Sequence, residues 1–197
     1  MSRLILASAS PRRQQLLRDA GYAFDVQPAD IDEENFPRNL LPPDVAEYLA
    51  AAKAQAVSAE FPDDVVLAAD TVVSFGDMLL GKPSDPAHAR QMLDLLSGTT
   101  HLCITGVSVI HRAANFAKKI RVMSAVRMRN LTPAEIDRYV ASNAWQGKAG
   151  GYGIQDDDPF VTRQSGSRSN IVGLPMAATK ALLLEAGIEP RGPSQAG

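Results

Sequence analysis

The residues of this chain that can do chemistry are grouped in short runs. Ser8-Ala9-Ser10-Pro11-Arg12-Arg13 brings two hydroxyls and two guanidinium groups together. Ser10 suits a helix N-cap and Pro11 its first position, so the run predicts a turn that opens a helix. The unpaired N–H groups and positive dipole end at such a turn attract anions. Arginine forks match phosphate oxygens. The run reads as a polyphosphate cradle; the alternative is a capped helix with two solvated arginines. Asp70 follows the apolar run Val65 to Ala69. A carboxylate at the mouth of a buried strand can bind Mg²⁺ or take a proton from water, or it can simply turn the chain before Thr71. Asp30, Asp32, Glu33 and Glu34 offer a second carboxylate for a metal without choosing among themselves. Lys53 and Lys82 are candidate phosphate partners, and the competing reading for each is an ordinary surface lysine.

Gly147 to Gln155 carries four glycines. Such a stretch approaches a ligand closely or adopts positive φ; otherwise it is a surface loop. Gln155 has one acceptor and two donors with which to read a base edge. Asp156, Asp157 and Asp158 follow, and three consecutive carboxylates do not readily converge on one ion, so they read as a solvated turn. His88, His101 and His111 lack ligand spacing, so no zinc site is legible. No Gly-x-Ser-x-Gly elbow, Walker-type loop or Gly-x-Gly-x-x-Gly fingerprint occurs.

These residues need elements to position them. Leu4 to Ala7 predicts a buried strand. Pro11 to Ala20 predicts a helix stopped by Gly21, with Leu16, Leu17 and Ala20 inward. Phe24 to Gln27 predicts a short strand and 28–43 a loop. Asp44 to Ala59 predicts an alanine-rich helix with Val45, Leu49, Ala52 and Ala56 inward, which puts Lys53 at the edge of that face. Val65 to Ala69 predicts a central strand ending at Asp70, and Gly76-Asp77 a hairpin turn. Pro86 to Leu96 predicts a helix. Leu102 to His111 and Lys119 to Met128 predict an antiparallel pair. Thr132 to Ser142 predicts a helix whose capping box is Thr132 with Glu135. Phe160 to Arg163 predicts a strand, Ser165 to Asn170 a polar turn, and Pro175 to Ala186 a last helix. The pattern is α/β with a mixed sheet. Ligands in such sheets sit beyond strand carboxyl ends, where the serine/arginine turn and Asp70 would share a cleft.

Composition narrows the classes. Hydrophobic residues at 45% of 197 can build a real core. The net charge of -2 argues against a nucleic-acid binder, and Lys118-Lys119-Ile120-Arg121 reads as a solvated strand end. The single cysteine, Cys103, excludes an intrachain disulfide and reads as a buried thiol. No run is long enough for a membrane span or a secretory signal, so a cytoplasmic protein is the expectation. One domain is expected over residues 1–189, open to division into two lobes, with a flexible tail over 190–197.

The runs Ser8 to Arg13, Ala69-Asp70-Thr71-Val72-Val73, Gly81-Lys82-Pro83, Leu96 to His101, Gly147 to Gln155 and Ser169 to Pro175 occur in the order of the Maf family, which this chain resembles from about residue 4 to 187. Each run is weakly specific alone; in order they are strongly so. The resemblance implies a nucleoside triphosphate pyrophosphatase that yields monophosphate and pyrophosphate. It implies an elongated mixed sheet flanked by helices around a central cleft, related to inosine triphosphatases. It implies a divalent metal (Mg²⁺, with Mn²⁺ or Co²⁺ as substitutes) and a homodimer. By this resemblance Asp70 is the catalytic carboxylate and shares the metal with Glu33. Ser8, Ser10, Arg13, Lys53 and Lys82 form the phosphate shell. Asp70-Thr71-Val72 and Tyr152-Gly153-Ile154-Gln155 resemble the branch acting on dTTP and UTP, with Arg12, Thr71 and Gln155 as specificity positions. A 7-methyl-GTP or inosine-triphosphate activity on the same scaffold is the alternative, and a non-catalytic regulator of cell division is another. The chain departs from the family pattern at Leu102 and at Asp156 to Asp158, where glycines often follow the glutamine.

Overall fold

A computed structural model describes residues 2–156 and 160–190. Its elements, in order, are β1 (Leu4–Leu6), α1 (Pro11–Asp19), β2 (Asp25–Val26), α2 (Pro42–Glu60), β3 (Val65–Phe75), β4 (Met78–Leu80), α3 (Pro86–Leu96), β5 (Thr100–His111), β6 (Phe116–Met128), α4 (Pro133–Ala141), β7 (Val161–Arg163), α5 (Arg168–Val172) and α6 (Met176–Glu185). The sheet runs β2-β1-β3-β5-β6-β7, with β4 hairpinned onto β3. β1 pairs in parallel with β2 and β3, and the remaining pairs are antiparallel. This is the mixed α/β sheet flanked by helices. Asp157 and Asp158, and the expected tail from residue 191 onward, lie outside the described residues.

Successive side chains of a strand point to opposite faces. Leu4, Leu6, Leu67 and Ala69 pack on one face with Leu17 of α1 and with Leu182 and Leu183 of α6. Ile5, Val66 and Ala68 pack on the other with Ala54 and Val57 of α2. Extending that alternation along β3 sends Asp70 toward α2 and Thr71 toward α1. A third cluster surrounds Val73, Leu93, Leu96, Met128, Ile136 and Tyr152 at the far end of the sheet. The cleft touches Ala7 of the α2-side cluster and Val73 and Tyr152 of this one.

Several expectations are corrected here. Asp70 does not end its strand: β3 continues to Phe75. Thr71-Val72-Val73-Ser74-Phe75 is itself β-branched and aromatic, and extends the strand. β1 stops at Leu6, opposite Leu67, so Asp70 still emerges beyond the end of its parallel neighbour. α2 begins at Pro42; Val45 and Leu49 are buried as expected, but the buried side continues through Ala46, Ala50, Lys53, Ala54 and Val57, whereas Ala52 and Ala56 are only partly buried. Lys53 is therefore inside, 6% exposed, and not at the edge of the apolar face. The expected polar turn at Ser165 to Asn170 becomes α5, whose N-cap Ser167 accepts from the Asn170 amide. Ser10 stands at the N-cap of α1, but its hydroxyl makes no capping bond. Lys118, Lys119 and Arg121 pair with Glu185, Glu47 and Asp44, so the basic run is neutralised in place. Among the described residues no helix is long and apolar enough to cross a membrane.

His101, which sequence reasoning left without a role, is buried at 3% exposure. Its Nε2 lies 2.7 Å from the Tyr152 hydroxyl. Thr99 Oγ1 donates to Leu96 O and so can only accept from Nδ1, at 3.5 Å. The neutral tautomer with its proton on Nδ1 and Nε2 accepting from Tyr152 satisfies both contacts. Burial pulls the imidazole down to about 4 from its ordinary 6.5. The unfolded chain takes this proton near pH 6.5 and the folded protein refuses it, so the associated stability is complete above pH 6.5 and is lost as pH falls toward 4. Between pH 6.5 and 5, above the carboxylate range, the loss is expected to be about 2 kcal/mol. Urea midpoints at the two pH values check this. His101→Gln should remove that share of the pH dependence, and an equally steep fall in the variant would refute it.

Candidate active site

One cavity of about 520 Å³ is lined by Ser8, Ser10, Arg12, Arg13, Glu33, Lys53, Asp70, Thr71, Lys82 and Gln155. The structure thus brings these ten candidate residues to a single cleft. Four cationic side chains (Arg12, Arg13, Lys53 and Lys82) outnumber Glu33 and Asp70 around it, and Lys148 on its wall is paired with Asp156. That balance suits a polyanion.

The strand alternation divides the labour. On the α2 side, Lys53 Nζ donates to Asp70 Oδ1 at 2.5 Å and pairs with Glu33 Oε1 at 2.8 Å. Lys82 Nζ takes the other Glu33 oxygen at 2.7 Å. Glu33 belongs to the loop between β2 and α2, and of the four acidic candidates it is the one that lines the cleft. Burial opposes its ionisation, but the hydrogen bonds and charges of Lys53 and Lys82 win and bring the carboxyl down to about 2. Glu33 is therefore ionised across the neutral range.

On the opposite side Arg13 is locked by its own fork. Nε donates to Gly173 O at 2.8 Å, Nη1 to Ser8 Oγ at 3.1 Å and Nη2 to Thr71 Oγ1 at 3.1 Å. Thr71 Oγ1 also lies 3.0 Å from Thr105 Oγ1, and Thr105 donates to Asn170 O. This chain of bonds ties α1, β3, β5 and α5 together behind the cleft. The Thr71 hydroxyl is thereby engaged by both Arg13 and Thr105. Burial lowers the Arg13 guanidinium from its ordinary value, and Asp70 opposes that shift. Arg12 reaches across the mouth, with Nη2 donating to Gly147 O at 3.0 Å.

The glycine-rich segment forms the far wall. Gly150 and Gly151 have φ of 67° and 73°, conformations that side chains resist. The Gly150 amide donates to Gly81 O at 2.9 Å, which joins this wall to the loop bearing Lys82. Gln155 stands exposed at the rim. Cys103 also touches the cavity, but burial pushes its thiol up to about 12, which makes it inert as a nucleophile. Asp156 is not the solvated residue expected: it pairs with Lys148 and accepts from Tyr139.

Could a divalent cation fit? Among the described residues no trio of His, Cys, Asp or Glu converges on a point. Glu33 and Asp70 do converge on one positive charge, the Lys53 ammonium. Mg²⁺ commonly takes only one or two carboxylates and completes its shell with phosphate oxygens and water. The donor set fits that pattern.

A mixed α/β sheet with clustered cations and two converging carboxylates in its cleft is an arrangement suited to a phosphorylated ligand. The family can then be given: the Maf-like protein model matches residues 3–186, and the chain belongs to the Maf family. Two relatives illustrate the likeness. The dTTP/UTP pyrophosphatase of Moorella thermoacetica is 44% identical over 193 residues, covering 98% of this chain and 99% of that protein. The dTTP/UTP pyrophosphatase of Hyphomonas neptunium is 50% identical over 182 residues, covering 91% and 93%.

Proposed function

We propose that this protein hydrolyses dTTP and UTP to the monophosphate and pyrophosphate. The observation that carries the reading is the Lys53 bridge between Asp70 and Glu33 inside a cation-lined cleft, in a chain so similar to named dTTP/UTP pyrophosphatases.

Hydrolysis of a triphosphate needs its negative charge neutralised and a water aimed at phosphorus. Lys53 and Lys82 supply donors on the α2 side of the cleft, Ser8 and Arg13 face them from the other, and Ser10 lines the turn that opens α1. Water adds at phosphorus, the phosphoanhydride P–O bond breaks, and the bond's electron pair leaves with pyrophosphate. Asp70, oriented by Lys53, receives the proton that water loses. Glu33 and Asp70 would hold Mg²⁺, with Mn²⁺ or Co²⁺ as substitutes. A bound divalent cation supplies charge neutralisation and a more acidic water. The homodimer implied by the family resemblance belongs to the same proposal, and light scattering of the purified protein tests it.

The test is pyrophosphate release with Mg²⁺ across pyrimidine, purine and 7-methylated triphosphates. Preferential turnover of dTTP and UTP supports the reading. Preference for inosine triphosphate or 7-methyl-GTP replaces the substrate but keeps the reaction, and binding without turnover overturns the enzyme. Gln155→Ala is expected to reduce the preference for dTTP and UTP over purines by about tenfold, the worth of one hydrogen bond to a base edge. An unchanged substrate profile would remove Gln155 from base recognition.

A further inference from the structure

The wall that carries Gln155 has a structural problem. Gly147, Gly150 and Gly151 all have positive φ, and a glycine-rich segment loses more conformational freedom on ordering than any other. Its first half has anchors in the protein body: Gly150 bonds to Gly81 O, and Tyr152 bonds to His101. The half from Gly153 to Gln155, which presents the rim, needs another.

That anchor is Asp156. Its Oδ2 accepts from the Tyr139 hydroxyl of α4 at 2.6 Å and from the Gly153 amide at 3.1 Å. Its Oδ1 pairs with Lys148 Nζ, and both side chains are largely buried, at 13% and 15% exposure. The carboxylate thus closes a ring from Lys148 to Asp156 and bolts it to α4. A Cβ on Gly153 would lie 2.6 Å from Asp156 Oδ1 and 2.9 Å from Lys148 Nζ, so the ion pair fills space that only glycine leaves. Pairing also neutralises Lys148, a cation on the cavity wall. Asp156 further acts on Arg12, whose guanidinium is lowered by burial and partly restored by the Asp156 charge. Arg12 in turn ties α1 to Gly147, where the segment begins.

We propose that Asp156 is a positioning residue for nucleotide selection: its clasp on Lys148, Tyr139 and the Gly153 amide holds Gln155 in register with the cleft. The proposal rests on the dTTP/UTP reading above and adds to it a residue that touches no substrate.

The experiment compares wild type, Asp156→Ala, Asp156→Asn and Lys148→Met, by kcat and KM for UTP, dTTP, ATP and GTP. In Asp156→Ala the ratio of kcat/KM for pyrimidine over purine triphosphates should fall about tenfold or more, mainly through KM, with kcat for UTP within about threefold. Asp156→Asn keeps an acceptor for Tyr139 and Gly153 and should recover part of the selectivity. Lys148→Met and Asp156→Ala should be non-additive when combined. The sole tryptophan gives a readout independent of catalysis. Trp145 is 4% exposed, donates to Val140 O and packs beside Gly151, so acrylamide quenching of its emission should rise when the clasp is cut. If Asp156→Ala does not fold, Lys148→Met carries the same comparison. Wild-type selectivity in both variants overturns the proposal, and so does increased quenching with selectivity unchanged, which would make the clasp merely structural. A wild type without pyrimidine preference overturns the substrate reading instead, and is seen before any variant is compared.

Discussion

Asp70→Asn is expected to lower pyrophosphate release by about a thousandfold while the protein still folds, within the range by which a positioned acid or base contributes. The substitution keeps the size and shape of the side chain. Its carboxamide oxygen still accepts from Lys53, whose ammonium keeps Glu33 as a charged partner. The cost to stability should be on the order of 1 kcal/mol, less than for severing a buried pair outright, because the buried ammonium is never left alone. Catalysis has no such reserve. The carboxamide takes no proton from water and offers no negative charge to a divalent cation. A thermal melt and a pyrophosphate assay on the same sample separate the two effects. A variant retaining a tenth of the wild-type rate would show that Asp70 is not the catalytic carboxylate. Lys53→Met is a useful contrast, since it leaves the Asp70 carboxylate in place without the donor that orients it.

Much of the fold was legible because its signals are local. Thr132-Pro133 with Glu135 spells out a capping box, and the structure contains both of its reciprocal bonds. Gly76-Asp77 spells out the hairpin that joins β3 and β4. The Ser8 to Arg13 turn depends on residues adjacent in the chain, and it does line the cleft. What escaped notice depends on partners far apart in sequence. α2 is so rich in alanine that its small side chains offer little contrast between faces, and a lysine on the buried face contradicts periodicity alone. Lys53 is inside because Asp70 and Glu33 wait there, on a strand and a loop that the helix sequence does not mention. A carboxylate in an apolar run reads as a boundary, and it is Lys53, from another element, that lets Asp70 sit inside a continuing strand. The pairing of His101 with Tyr152 spans 51 positions. A run of three aspartates reads as solvated, whereas Asp156 is held by Tyr139 of α4, by Lys148 and by the Gly153 amide, partners that the run does not name.

Gly106→Ala should then be the most damaging small substitution in the molecule, costing about 3 kcal/mol or more in stability and lowering activity besides. Gly106 sits on β5 directly opposite Asp70 on β3. Residues paired across two strands point to the same face, so the missing side chain of Gly106 faces α2, as Asp70 does. A Cβ there would lie 2.2 Å from Ala46 O, 2.4 Å from the Ala46 carbonyl carbon and 2.6 Å from the Glu47 amide nitrogen. These are backbone atoms of a helix, with no rotamer to escape into. The overpacked strand must push α2 away from the sheet, and overpacking a tight core typically costs about 1 to 3 kcal/mol even where side chains can yield. The displacement matters chemically because Lys53 lies two turns along the same helix on the same buried side. Its ammonium meets Asp70 at 2.5 Å, a contact with no slack. Moving α2 outward by even part of an ångström lengthens that bond and loosens the grip on Glu33. Gly106 thus has a catalytic consequence without touching a ligand: the absent side chain lets the helix bearing Lys53 lie against the strand bearing Asp70. Urea midpoints should fall sharply in Gly106→Ala, and the fraction that remains folded should turn over substrate more slowly than wild type. A variant with an unchanged midpoint would mean that the helix rests less tightly on the sheet than these distances require. A destabilised variant with full activity per folded molecule would separate the packing of α2 from the placement of Lys53.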